Sequence, residues 1–288
     1  MTSCSLTQFL EPNKYDWRGA SRLHPPTSER QNLYKLDNDG FFRSISTTKN
    51  FKHLIGRKKY VYFRANYDFM EKFQQASALN HSKLEWMKDL NMDTINARIF
   101  KTIFKPSKSM REKLEKFKSE AKPPGDKLAC AHIRMGTNPT NPRDVRVNHS
   151  VKDLPVVWQF LNNQTQDGRY KIFLMSDSDQ VAALARAQDF GSRLVTSSGP
   201  TIHVDKPVGG TSPEVKCRGL EKVILEHLIL SRYCDVLLTS RSSLSRLAAY
   251  LRHSDHRLYC LMHSQHELSN QIVKCEAKTI RHLYKVPG

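Results

Sequence analysis

From Lys127 onward the apolar residues fall into short unbroken runs, separated by stretches in which they recur every three or four positions. The runs at 127–134 (KLACAHIR), 170–176 (YKIFLMS), 235–239 (DVLLT) and 257–262 (RLYCLM) read as strands. Helical periodicity covers about 151–162, 178–188, 214–232 and 242–252. Strands that are continuously apolar suit a parallel sheet covered on both faces. Their alternation with helices predicts a doubly wound α/β domain. Trp158 and the stripe Leu220, Val223, Ile224 and Leu228 are expected in its core.

Upstream the pattern is weaker. Residues 1–56 give few periodic signals, and 59–64 (KYVYFR) reads as a short strand. From Asn66 to about Lys118 two or three helical segments are expected, one opening at Ser109 with Glu112 in capping-box spacing. Its Lys108, Arg111, Lys113, Lys116 and Lys118 alternate with Glu112 and Glu115, as on a solvated face. The breaker Lys122-Pro123-Pro124-Gly125-Asp126 marks the expected junction. It leaves a smaller, largely helical N-terminal lobe at 1–125 and a Rossmann-like domain at 126–288. No internal repeat or low-complexity tract appears.

Composition changes this picture in one respect. The 288 residues are 39% hydrophobic and 26% charged, ordinary for a globular protein, but the formal net charge is +18. Such a surface attracts polyanions: nucleic acid, anionic membrane, sulfated glycan or a nucleotide diphosphate. No basic stripe interleaved with aromatics is present to favour nucleic acid. The chain has no run of about 20 apolar residues and no leader at its start, which taken literally means a cytosolic protein. Against that stand six cysteines without a CxxC pair, and sequons at Asn148 and Asn163.

In doubly wound sheets ligands bind beyond the C-terminal ends of the strands, and that rule selects three loops. The first strand ends in His132-Ile133-Arg134-Met135-Gly136-Thr137-Asn138. Alternation puts His132 and Arg134 on one side, and the planar guanidinium suits a phosphate or, equally, a salt bridge to a neighbouring loop. The second ends in Ser176-Asp177-Ser178-Asp179, an acidic turn that also caps the next helix. After the third, Thr239-Ser240-Arg241-Ser242-Ser243 runs into a helix, a hydroxyl-rich N-terminus able to hold a pyrophosphate. His203 could face the acceptor but reads more readily as a surface or core histidine, and His263 and His266 lack an acid at ligand spacing, so no metal site is assigned.

HIRMGTN, SDSD and ILEHLILSRYCDVLLTSRSSLSRLA, in that order, resemble the three motifs of a fucosyltransferase superfamily. It holds the α1,6-fucosyltransferases, the bacterial nodulation enzymes and the protein O-fucosyltransferases. The resemblance spans about residues 85–262. It implies a GT-B fold, inversion at the anomeric carbon, GDP-fucose as donor, a glycan or glycoprotein hydroxyl as acceptor, and neither metal nor cofactor. Arg134 then matches the arginine that grips the β-phosphate, and His132 the histidine lying against the nucleotide. Gly136 and Asp177 fall in the same donor site, Glu226 on the acid approaching guanine or ribose, and Ser242 and Ser243 on the phosphate-binding hydroxyls. The family also implies a Golgi or endoplasmic reticulum lumen, with membrane attachment only through a segment absent from this chain. Three features depart from the pattern. Met135 stands where the α1,6 enzymes carry a second arginine, the spacing from Asp235 to Thr239 is one residue short, and the family's glycine-rich N-terminal motif is not recognisable before residue 57. The last implies an N-terminally incomplete or a diverged first lobe. The alternatives are a non-catalytic protein of the same fold and a basic nucleic-acid-binding protein.

Overall fold

The computed structural model describes residues 4–18, 30–34, 60–64, 87–144, 149–203, 211–252, 254–263 and 270–283. The chain divides into two compact units, one of Met1–Glu11 with Phe104–Gly288, the other of Pro12–Ile103. Strand β1 (Leu10–Pro12) pairs with β4 (Phe104–Pro106), while β2 (Arg30–Tyr34) and β3 (Tyr60–Arg64) form a parallel pair. Helix α1 (Met92–Ile103) belongs to the smaller unit. The helical pattern expected at 66–86 lies outside the described residues.

The division differs from the one the sequence suggests. Lys122–Asp126 is a turn inside the larger unit, between α2 (Lys108–Ala121) and β5 (Lys127–Ile133). Prolines and a glycine at φ +91° make a tight turn wherever one is needed, at a domain border or within a domain. Helix α2 is capped by Ser107, not Ser109: the Ser107 hydroxyl accepts the Met110 N–H at 3.2 Å. Met110, Leu114, Phe117 and Ala121 form its buried stripe, and the lysines lie on the exposed side.

The larger unit is built on a six-stranded sheet. To β5 it adds β6 (Tyr170–Ser176), β7 (Leu194–Val195), β8 (Val236–Thr239), β9 (Leu258–His263) and β10 (Asn270–Lys274), in the order β10-β9-β8-β5-β6-β7. All neighbours are parallel except β9 and β10. Counted from β5 as the first strand, the order is 3-2-1-4-5-6, the doubly wound nucleotide-binding arrangement. Between strands run α3 (Leu154–Gln164), α4 (Asp179–Arg186), α5 (Pro213–Arg232) and α6 (Ser243–Arg252), and α7 (Ala277–Leu283) follows β10.

Helices on both faces explain why β5 and β8 are buried almost throughout. Trp158 and Phe190 meet edge-on at 5.9 Å within the core. Three disulfides staple the unit. Cys130 on β5 joins Cys234 just before β8, Cys260 on β9 joins Cys275 beyond β10, and Cys4 ties the N-terminal arm to Cys217 on α5. Their Cα separations of 5.2–6.0 Å lie in the ordinary range for such bridges. No helix among the described residues is long and apolar enough to cross a membrane.

Candidate functional site

Strand β5 is where the sheet's winding reverses, with β6 on one side and β8 on the other, so the loop after it sits at the topological switch point. Arg134 is the first residue of that loop. Its backbone N–H donates to Ser240 Oγ at 2.8 Å, tying the ends of β5 and β8 together. Asp177, past the end of β6, accepts the N–H of Met135 at 2.7 Å and of Gly136 at 2.9 Å, one on each carboxylate oxygen. Gly136 turns there at φ +68°, a backbone conformation that a side chain would strain. Asn138 and Asn141 both donate to the Asp177 carbonyl. The loop is thus held by Asp177 from below and by its own asparagines from within.

The guanidinium of Arg134 is 20% exposed and bridges two acids, one nitrogen pairing with Asp144 and the other lying 3.3 Å from Asp177. Asp144 is almost fully enclosed and also lies 3.2 Å from His203 Nε2. Burial raises the Asp177 pKa, the two backbone N–H donors and Arg134 opposing. His132 is buried, and burial with the charge of Arg134 and His227 lowers its pKa to about 3. It is therefore a neutral imidazole, with Nδ1 2.6 Å from Ser245 Oγ on α6.

These groups open onto a cavity of about 670 Å³, large enough for a nucleotide sugar. His132, Arg134, Asp177, Ser242, Ser243 and Glu226 all line it. Helix α6 starts at Ser243, so its N-terminal dipole end faces the space. Ser242 Oγ caps the Leu244 N–H at 3.2 Å, and Ser243 Oγ accepts from Arg246 at 3.1 Å. Glu226, on α5, accepts the Ser197 hydroxyl at 2.5 Å, and burial raises its pKa from 4.5 to about 7 against the opposing pull of Lys222 and that hydrogen bond. Of the expected site residues, Gly136 alone shapes the loop without lining the cavity.

Several wall residues are not evident from the sequence. Asp144 and His203 sit in loops without periodic signal, and only folding brings them to Arg134. His203 is neither a surface nor a core histidine but part of the cavity wall. Leu220, Val223 and Ile224, expected in the core, line the cavity instead, and only Leu228 of that stripe is fully buried. A helix shows the same apolar periodicity to a ligand cavity as to a core. Gly219 allows the close approach of α5 to Ile202, whose side chain would overlap a Cβ there. Leu6 and Leu10 of the N-terminal arm complete the apolar wall. Among the described residues no three His, Cys, Asp or Glu side chains are grouped to hold a metal. His263 ends β9, and His266 lies outside the described residues.

The larger unit has the GT-B-like α/β fold of the fucosyltransferases, with the cavity at the switch point of its sheet. Arabidopsis thaliana FUT1, as a point mutant in complex with GDP, matches with a TM-score of 0.54 at 11% identity. That match covers 88% of this chain, which spans only 54% of the length of FUT1. NodZ alpha-1,6-fucosyltransferase co-crystallised with GDP matches with a TM-score of 0.50 at 13% identity, over 94% of this chain and 82% of NodZ. At such identities the likeness is one of fold. No protein-family model matches the chain, nor does any curated protein.

Proposed function

We propose that the chain is an inverting glycosyltransferase that moves fucose from GDP-fucose to a hydroxyl of a glycan or glycoprotein. The observation that carries this reading is the guanidinium of Arg134 at the switch point, in the wall of a cavity into which the α6 N-terminus also points. The acceptor oxygen attacks the anomeric carbon from the side opposite GDP, and its proton is released. As that bond forms, the bond from the anomeric carbon to the β-phosphate oxygen breaks and negative charge collects on the diphosphate. In this account Arg134 and the α6 N–H groups receive it, and no metal is needed. His132, neutral and fixed by Ser245, lies against the nucleotide. Ser242 and Ser243 contact phosphate, and Glu226 meets the donors of guanine or the ribose hydroxyls. Gly136 and Asp177 shape the loop that holds Arg134 in place.

The doubly wound unit is the donor side in this account, and the unit of Pro12–Ile103 serves the acceptor. No cofactor and no nucleic acid is involved. Three disulfides and two sequons support a Golgi or endoplasmic reticulum lumen. One observation favours a second reading, a protein of this fold that binds a nucleotide sugar without transfer: Arg134 is already engaged by two carboxylates. A thermal-shift panel of GDP-fucose, GDP-mannose, UDP-galactose and DNA, followed by assay of GDP release from GDP-fucose with a glycoprotein acceptor, separates these readings. Stabilisation by GDP-fucose with GDP release supports transfer; stabilisation without release supports the second reading. A response to UDP-galactose or DNA alone removes both.

A further inference from the structure

We propose that the cleft at the N-terminal ends of β5, β6, β8 and β9 binds a tetrahedral oxyanion, a phosphate or sulfate group, at a site separate from the donor cavity. The four strands are adjacent in the sheet, and their starting residues form one edge, the edge opposite the loops that carry Arg134. The cleft there has a volume of about 370 Å³ and shares no lining residue with the donor cavity. Lys122, Lys127, Arg232, Arg252 and Arg257 line it, with His256, against the single carboxylate of Asp235.

That carboxylate is already committed. One of its oxygens lies 2.8 Å from Lys122 Nζ and accepts the Leu128 N–H at 2.8 Å. Cations at helix C-termini complement the helix dipole, which accounts for Arg232 at the end of α5 and for Arg252 at the end of α6. It does not account for Lys127, which stands at the start of β5; Arg257, before β9, reaches the last residue of α3 and is explained in part the same way. Both pack on the Tyr170 ring, at 5.3 and 5.2 Å from its centroid. Arg257 also donates to Tyr170 and, at 2.7 Å, to Gln164.

Two observations go beyond a solvated basic surface. Arg252 Nη2 donates to the Asp235 carbonyl at 2.8 Å, whereas its Nη1 is buried without a hydrogen-bond partner among the described residues. A buried guanidinium N–H left unpaired is costly, and turning the Arg252 side chain outwards, to an oxyanion in the cleft, relieves that cost. Arg257 is the only non-glycine residue among those described with positive φ, at +52°. Backbone in that region is uncommon for a long side chain and is retained where it aims a functional group. Burial lowers the Arg252 pKa, with Asp235 and Asp255 opposing, and a bound anion relieves that cost.

Calorimetric titration with sodium sulfate and with sodium phosphate, at fixed ionic strength, tests the assignment. With excess GDP present to occupy the donor cavity, saturable binding is expected in the wild type and, with the same affinity, in Arg134→Ala. Arg252→Gln should weaken it by about tenfold or more, the scale of losing one charge-assisted donor. Because Arg252 also holds the Asp235 carbonyl, the rim variant Lys127→Gln/Arg232→Gln keeps the test open if Arg252→Gln fails to fold; it too should lose about tenfold. A sulfated disaccharide binding more tightly than sulfate identifies an esterified sugar as the source of the group, and equal affinity identifies the free ion. Absence of saturable binding, or binding lost in Arg134→Ala but kept in the rim variant, overturns the assignment.

Discussion

Replacing Glu226 by glutamine should make the protein more stable at neutral pH while weakening its hold on the donor. The folded chain keeps a proton on Glu226 up to about pH 7, whereas an ordinary solvated glutamate, as in the unfolded chain, releases it near 4.5. Between those values the folded state binds more protons, so stability falls as pH rises through the window and the cost is complete above about 7. Some two to three pH units at 1.36 kcal/mol each give about 3 kcal/mol. Glutamine retains an acceptor for the Ser197 hydroxyl but carries no charge to bury. In thermal melts with disulfides intact, Glu226→Gln should match the wild type near pH 4.5. Its advantage should grow to about 6–12 °C by pH 8, at roughly 2–4 °C per kcal/mol for a domain of this size. GDP-fucose, whose diphosphate has no proton to lose in this range, should bind the wild type more tightly as pH rises towards 7, because guanine donors select the ionised acid. The variant should lack that rise. A constant difference between the melts across pH, or a less stable variant at pH 8, would refute the burial argument.

Three further outcomes follow from the same geometry. Asp144→Ala removes the enclosed acid shared by Arg134 and His203, and should cost about 3 kcal/mol in denaturant unfolding and lower turnover, whereas His203→Ala should cost less; equal, negligible effects would show the cluster to be incidental. Peptide mapping without reduction should recover Cys4–Cys217, Cys130–Cys234 and Cys260–Cys275, and the Cys130→Ala/Cys234→Ala variant, which opens a loop of 104 residues, should lose about 4 kcal/mol. Free thiols at these positions in native material, with Asn148 and Asn163 unmodified, would count against a lumenal location. Transfer should survive EDTA; activity abolished by the chelator and restored by manganese would instead give Asp177 and Asp179 a metal to hold.

Among the described residues, four of the six strands and four of the five α-helices from Lys127 onward were legible, because each of these is regular and buried in the way its period announces. Arg134, Asp177 and the serines after Thr239 followed from that, since a doubly wound sheet fixes which loops face a ligand. Antiparallel β10 gave no comparable signal: its NQIVK alternates weakly and pairs only with the sheet's edge. Asp144 and His203 lie 10 and 69 residues beyond Arg134 in loops, so no spacing joins them before the chain folds. The stripe on α5 reads as core because apolar periodicity records removal from water, not what does the removing. Ser107 outcompetes Ser109 as a cap because the residue after Pro106 is already extended, at φ −62° and ψ 167°, as an N-cap must be.

Turnover of Arg134 variants tests the central claim most directly. Negative charge builds on the β-phosphate oxygen only as the glycosidic bond breaks, so a donor already aimed at that oxygen contributes more to the transition state than to binding. Arg134→Ala should lower kcat by about two to three orders of magnitude, the scale of one preorganised donor, and Arg134→Lys should recover part of the loss. GDP affinity should fall less than turnover, and Asn138→Ala, in the same loop, should change either far less. If Arg134→Ala, folded and binding GDP, transfers fucose at a near-normal rate, the chemistry does not reside at the switch point of this sheet.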